Sequence, residues 1–292
     1  MTENFEEFWN SEYAHPVEMI LEDDYHELSL VDVDARTRFL HAYAKDPANF
    51  EPQVREAIGN APAYFPEILD AMSWEDVDFI SDVPGKNPGD EGLGGGGEST
   101  AHLVHAVRNA SSSILIQSPY LVMPEGGIEL FGELVSRGVR IRISTNSLAS
   151  TDNIQAFSGY QGQRKELLEA GVELYEFMPH PQIKEELIKR YPRIAENNPV
   201  FALHAKSMVV DDQTVFIGTF NLDPRSANLN TEVGMLVDSP ALAQQLTASI
   251  ERDIAPGNSW RTTLDGNPDL GVGRWKRFRA WFNRILPLEP VL

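Results

Sequence analysis

Residues 201–232 read FALHAKSMVVDDQTVFIGTFNLDPRSANLNTE. A short valine-rich apolar run leads into Asp211 and Asp212, a turn-forming pair, so 203–210 is expected as a strand and 214–220 as its antiparallel partner. Side chains alternate faces along a strand. His204 and Lys206 therefore share one face, and Thr219 and Asn221 share one face of the returning strand. A two-residue turn at Asp212 and Gln213 sets His204 opposite Asn221 and Lys206 opposite Thr219. Moving that turn back by one residue pairs His204 with Thr219 on the same faces, whereas a three-residue turn would spoil the arrangement. The expected result is an imidazole, an ammonium, an amide and a hydroxyl gathered on one hairpin face.

That group suits phosphodiester chemistry. A neutral imidazole such as His204 can attack phosphorus and give a phosphohistidine for an alcohol or water to resolve. Lys206 and Asn221 can hold phosphoryl oxygens, and Glu232 can accept the other ring N–H of His204. No metal-ligand cluster accompanies these residues, so a route without metal or other cofactor is expected. Taken singly, His204 reads as a core histidine and Asp211 as a turn residue. The fixed order of the group is what points to a site.

Composition narrows the setting. The chain has 292 residues, 42% of them hydrophobic, enough for one large or two modest domains with a real core. Its formal charge of −20 argues against a nucleic-acid backbone as partner. It has no cysteine, which removes disulfides and thiolate chemistry. No apolar run is long enough to span a bilayer, and the first residues lack the pattern of a signal peptide.

Helices are expected over 3–13 and 34–45, then short helices and turns through the proline-punctuated stretch 46–75, and a single buried strand in VDFISDVPGKN ending at Pro84. Residues 84–99 read as a flexible linker or loop, and no Gly-Lys-Ser/Thr closes its glycines into a phosphate cradle. From about 100 onward strands and helices alternate, with an irregular piece at 178–200, as in a layered α/β domain. Within 274–286, RWKRFRAWFNRIL, five basic and no acidic residues flank Trp275, Phe278, Trp281, Phe282 and Ile285 at helical spacing. Such a helix suits the headgroup region of an anionic membrane; packing on the acidic body would account for the same charges.

HAKSMVVD fits H-x-K-x4-D, and GTFN follows the G-[SG]-x-N continuation except for Thr219 at its second position, the paired HKD signature of the phospholipase D superfamily. The chain resembles the C-terminal half of two-motif bacterial cardiolipin synthases of the C-type, through SPYLV at 118–122, RGVRIRISTNSLASTD at 137–152, AGVELYEF at 170–177, LHAKSMVVDDQTVFIGTFNLDPRSANLNTEVG at 203–234 and the ending LPLEPVL. More weakly, FWNSEYAHPVE at 8–18 looks like the segment after the first motif. The resemblance implies an α/β fold, a layered α-β-α sandwich with a mixed sheet. It also implies a phosphatidyltransferase of cardiolipin synthesis in which one motif histidine attacks the phosphatidyl group, the other protonates the leaving alcohol, and a lipid headgroup hydroxyl accepts. By motif matching, the catalytic roles fall on His204, Lys206, Asn221 and Glu232. Asp211, Gly218 and Thr219 are motif residues, Asp211 chiefly structural and Thr219 replacing the commoner serine. Tyr120 and Ser226 are placed near substrate.

The other histidines, at 15, 26, 41, 102, 105 and 180, are never followed two positions later by lysine, so the first motif is absent. The chain is expected to hold half a site, completed in cis by a missing first lobe or in trans by a homodimer. The corresponding domain reading is 1–88 as remnant of a first lobe and connection, 89–100 as glycine-rich linker, 101–256 as the motif-bearing lobe, and 257–292 as the tail with the basic helix. The expected setting is peripheral, on the cytoplasmic face of the cytoplasmic membrane, with phospholipid as substrate and no nucleic acid. Phospholipase D-type hydrolysis and an inactive membrane-binding fragment are the alternatives.

Overall fold

A computed structural model describes residues 1–20, 30–87 and 93–286. The glycine-rich stretch therefore lies partly, at 88–92, outside the described residues, as does most of the LPLEPVL ending. The chain forms two compact units, one of Met1–Tyr13, Glu75–Pro181 and Phe201–Leu292, the other of Ala14–Trp74 and Gln182–Val200.

In chain order, α1 (Thr2–Trp9) belongs to the first unit, and α2 (Val17–Ile20), α3 (Leu30–Lys45), α4 (Pro52–Gly59) and α5 (Ala61–Ala71) to the second. The first unit resumes with β1 (Asp78–Ser81), α6 (Glu98–Arg108), β2 (Ser113–Gln117), α7 (Gly127–Ser136), β3 (Arg140–Asn146), α8 (Ile154–Glu169) and β4 (Glu173–Phe177). The second unit returns as α9 (Lys184–Ile188) and α10 (Pro192–Ala195), within the piece expected to be irregular. There Arg193 pairs with Asp46 at 2.8 Å, and Phe50 meets Tyr43 and Tyr191 edge-on. The first unit closes with β5 (Ser207–Val210), β6 (Thr214–Gly218), α11 (Pro224–Asn228), β7 (Val233–Asp238), α12 (Pro240–Ile254), β8 (Ser259–Thr262) and α13 (Arg274–Ile285). Side-chain caps begin several helices: Asn153 accepts from the Ala156 amide for α8, Asp223 from Ser226 for α11, and Ser239 from Leu242 for α12.

The eight strands form one mixed sheet, ordered β1-β7-β6-β5-β2-β3-β4-β8, with β2, β3 and β4 parallel and the other neighbours antiparallel. Alternation divides its residues between two cores. Ile114, Ile116, Ile143, Leu174, Met208 and Phe216 pack with residues of α6, α7, α8 and α13, while Leu115, Val209 and Val215 meet Ala243, Ile250 and Ile254 of α12. This is the expected α-β-α sandwich with a mixed sheet.

Two local expectations are corrected. VDFIS, expected as a buried strand, is an edge strand in which Ile80 alone is buried, paired with β7 of the same sheet. At the other end β8 joins β4 and α13 packs on α8. The hairpin turn has three residues, because Val210 pairs with Thr214. Its Asp211 and Asp212 adopt left-handed φ of 55° and 54°, and the Gln213 amide donates to the Val210 carbonyl at 3.0 Å. Asp211 explains this choice, since its carboxylate accepts the amides of Ser111, Ser112 and Ser113 at 2.8, 2.7 and 3.0 Å and both neighbouring hydroxyls. The turn is thereby fastened to the start of β2.

Candidate active site

β5 begins at Ser207, so His204 and Lys206 precede the strand in an extended lead-in at the end of the sheet where β2 finishes. The register places Lys206 beside Gly218, whose amide donates to the Lys206 carbonyl at 3.1 Å. Glycine is required at 218 because a Cβ would sit 2.5 Å from the Val233 carbonyl oxygen. The shared face expected for His204, Lys206, Thr219 and Asn221 is therefore lost, and their grouping arises differently.

His204 and Lys206 form one cluster with Tyr120. Lys206 Nζ lies 3.5 Å from His204 Nε2 and 6.0 Å from the centre of the Tyr120 ring, which meets the His204 ring edge-on at 6.5 Å. Tyr120 donates its hydroxyl to Asp152 at 3.2 Å, and burial followed by the Asp152 charge raises its pKa. Asn146, buried at the end of β3, donates to the Leu203 carbonyl at 2.9 Å and accepts the Leu203 amide at 2.8 Å, fixing the backbone before His204. The same Nδ2 reaches the Pro119 carbonyl at 3.2 Å, so one amide side chain steadies both segments. A buried asparagine ending the apolar strand VRIRISTN was the available signal for it.

Thr219, Asn221 and Glu232 form a second cluster, lining a polar recess of about 730 Å³ with Lys86, Asn87 and Asn230. Thr219 Oγ1 donates to Glu232, so the carboxylate expected to back His204 is engaged by the threonine instead. Asn221 Oδ1 is buried without a hydrogen-bond partner among the described residues, and the Asn221 backbone amide donates to Ser226 Oγ at 3.2 Å. Ser226 itself is fully buried, with its hydroxyl holding the Asn221 backbone amide and its carbonyl accepting from Lys86. Charge links the two clusters. Burial lowers the Lys206 pKa, and the carboxylates of Glu232, Asp223 and Asp152 partly restore it.

The family described as "Cardiolipin synthase, PLD-like domain" matches residues 103–254. The chain belongs to this phospholipase D-like family. Cardiolipin synthase C of Escherichia coli (strain K12) is 34% identical over 227 residues, 76% of this chain and 44% of its own length. An uncharacterized protein of Helicobacter pylori (strain J99) is 28% identical over 90% of this chain and 49% of its own length. The chain thus spans about half the length of these curated relatives. The crystal structure of a phosphatidylserine synthase from Haemophilus influenzae shares the fold, with a TM-score of 0.53 at 16% identity, over 89% of this chain and 61% of that one.

A buried ion pair supports the region of Asn221 and Glu232, with Lys86 and Ser99 from the stretch 84–99 expected as a linker and Asp82 from the strand expected before it. Lys86 Nζ contacts Asp82 Oδ2 and the Ser226 carbonyl, both at 2.8 Å, with the Lys86 and Asp82 side chains 1% and 0% exposed. Asp82 also accepts the amides of Ser99 and Glu232, each at 2.9 Å, and Ser99 Oγ donates to the Glu232 carbonyl at 3.1 Å. Glu232 and the turn carrying Asn221 are therefore set by one buried ion pair.

α13 packs on the domain through Ala280, which is fully buried. Its aromatic face points the other way, with Trp275, Phe278, Trp281, Phe282 and Ile285 between 47% and 71% exposed and their rings mutually stacked or tilted from 5.6 to 6.3 Å apart. Lys276 reaches the carbonyls of Ala149 and Thr151 at 3.4 Å, next to the Asp152 that holds Tyr120. Among the described residues no helix is long and apolar enough to cross a membrane.

Proposed function

We propose that the chain supplies one half of a phosphatidyl-transfer site of cardiolipin synthesis. The observation that carries this reading is the Lys206 ammonium 3.5 Å from His204 Nε2, at the sheet end where Asn221, Thr219 and Glu232 also gather. In the forward step a ring nitrogen of neutral His204 forms a bond to the phosphatidyl phosphorus. The bond from phosphorus to the headgroup oxygen breaks, and a histidine of the completing half donates the proton that alkoxide needs. A lipid headgroup hydroxyl then attacks phosphorus, returns its proton to that second histidine and releases His204. Lys206 Nζ and the side-chain NH2 of Asn221 hold the non-bridging oxygens through both steps. An incoming phosphate also supplies the anion that a half-buried Lys206 favours, offsetting its desolvation.

The completing half acts in cis or as a second copy of the chain. The outward aromatic face of α13, beside the exposed Arg274, Arg279 and Arg284, supports a peripheral position on an anionic membrane, which we propose is the cytoplasmic face. The test is lipid analysis of cells lacking their own cardiolipin-forming enzymes and expressing the chain with its completing half. Cardiolipin is expected from the wild type and not from His204→Ala; phosphatidic acid, formed when water takes the place of the acceptor hydroxyl, as sole product would replace transfer by hydrolysis.

A further inference from the structure

Between α6, α7 and the β2/β5/β6 part of the sheet lies a second, larger cavity of about 920 Å³. Its wall is apolar, formed chiefly by Leu103, Val107, Met208, Phe216, Phe220 and Leu222. Neither hydrogen-bonding groups nor charges of the mechanism above line its floor. Its size and character fall in the range of cavities that enclose an apolar ligand, about 300–1,000 Å³. Leu93, Val104, Glu125 and Glu129 lie on exposed stretches of its rim, so the cavity opens to the surface rather than forming a sealed packing defect.

We propose that this cavity receives an acyl chain of the lipid whose phosphate is handled at His204 and Lys206. The inference rests on the phosphatidyl reading for its occupant, and on continuity between the two walls for its place. Ser207 and Met208 line the cavity directly after Lys206, and Leu222 directly after Asn221. Ser118 lines it as well, and its hydroxyl ties the two loops of the site together, donating to the Tyr120 carbonyl and accepting the Leu222 amide at 3.0 Å. Pro224, Ala227 and Asn228 add the other side of the turn that holds Ser226. The segments that present polar groups to phosphate thus present apolar ones to the cavity, which is the division a phospholipid has between head and tail.

The test uses n-alkyl phosphates of six, eight and ten carbons, below their aggregation concentrations, with inorganic phosphate as reference, titrated calorimetrically into the full chain. Affinity should rise by up to about fourfold per added methylene, the equivalent of about 0.8 kcal/mol for burying each one. Val104→Trp at the rim should flatten this dependence while leaving inorganic phosphate binding unchanged. Lys206→Ala should weaken inorganic phosphate and keep the dependence. Glu129→Trp, on the opposite rim, serves the same purpose if circular dichroism shows that Val104→Trp does not fold. Phosphate binding that needs Lys206 but shows no chain-length dependence overturns the cavity proposal and leaves the phosphatidyl reading standing. Chain-length dependence without any phosphate binding overturns the phosphatidyl reading and, with it, the assignment of the cavity to the acyl chain of that lipid. The proposal is also overturned if the dependence survives both rim variants and disappears in Trp281→Ser, which would place the chain on α13. Sedimentation showing a dimer that Val104→Trp dissociates, with a flat dependence, would assign the cavity to a second copy and overturn it too.

Discussion

Lys86 Nζ lies 2.8 Å from Asp82 Oδ2 with both side chains withdrawn from water, and the pair underpins Glu232 through the Glu232 amide, 2.9 Å from the same oxygen. Removing one partner of a buried pair leaves an uncompensated charge, which costs about 3–5 kcal/mol. Asp82→Ala is therefore expected to lower unfolding stability by that amount in urea titrations. The double change Asp82→Leu with Lys86→Met leaves no orphaned charge but still strands the buried amides of Ser99 and Glu232, so it should recover only part of that cost. In both, any transfer activity should fall further than stability explains, since Glu232 loses its backbone anchor.

Asp211 is the second structural carboxylate. Burial opposes its charge, but the amides of Ser113, Ser112 and Ser111 outweigh that and hold its pKa below the ordinary 3.8. A folded-state pKa below the unfolded value contributes stability that is present above about pH 4 and lost as pH falls through the lowered value. Asp211→Asn should thus flatten the acid limb of the stability profile, and Asp211→Ala should cost about 2 kcal/mol near neutrality by forfeiting hydrogen bonds to a charged acceptor. Chemical denaturation at a series of pH values checks both.

Lys206 makes a prediction about activity and pH. Its pKa is lowered by burial, with Glu232 first among the carboxylates that oppose the shift. If the ammonium holds phosphoryl oxygens, turnover should decline on the alkaline side at a pH below 10.5, the ordinary lysine value. Glu232→Gln removes a raising charge, so the decline should move to still lower pH. A limb that moves upward, or stays fixed, would separate Lys206 from phosphate binding.

The exposed aromatic face of α13 is expected to bind lipid independently of catalysis. Trp281→Ser and Phe278→Ser should each weaken sedimentation with phosphatidylglycerol vesicles, and raised salt should weaken it further by screening the basic flank. Both positions are about half exposed, at 47% and 49%, so unfolding stability should change by only about 0.5 kcal/mol. Unaltered vesicle binding in the double variant would remove α13 from membrane attachment.

The sandwich was legible because β2, β3 and β4 alternate with α7 and α8 in sequence and their apolar periods differ. The motif residues were legible as a group, yet their geometry was not. Turn length in the hairpin depends on Asp211 reaching Ser111 to Ser113, about a hundred positions away in sequence, and no local propensity encodes that contact. Lys86 was hidden for the same reason, since a glycine-rich, acidic neighbourhood reads as a linker until Asp82 and the Ser226 carbonyl are seen around it. Ser226 is a further case: its full burial and its hydrogen bond to the Asn221 backbone amide are tertiary features that the local PRS sequence does not encode. For α13, amphipathicity identified two faces without saying which is turned inward, and the small Ala280 decides it.

If His204 carries phosphatidyl transfer, mass-spectrometric lipid analysis after the chain and its completing half act on phosphatidylglycerol vesicles should find cardiolipin from the wild type and a loss on the order of a thousandfold in His204→Ala, at unchanged vesicle binding. Equal cardiolipin from the two proteins, or none from the wild type, would contradict that role.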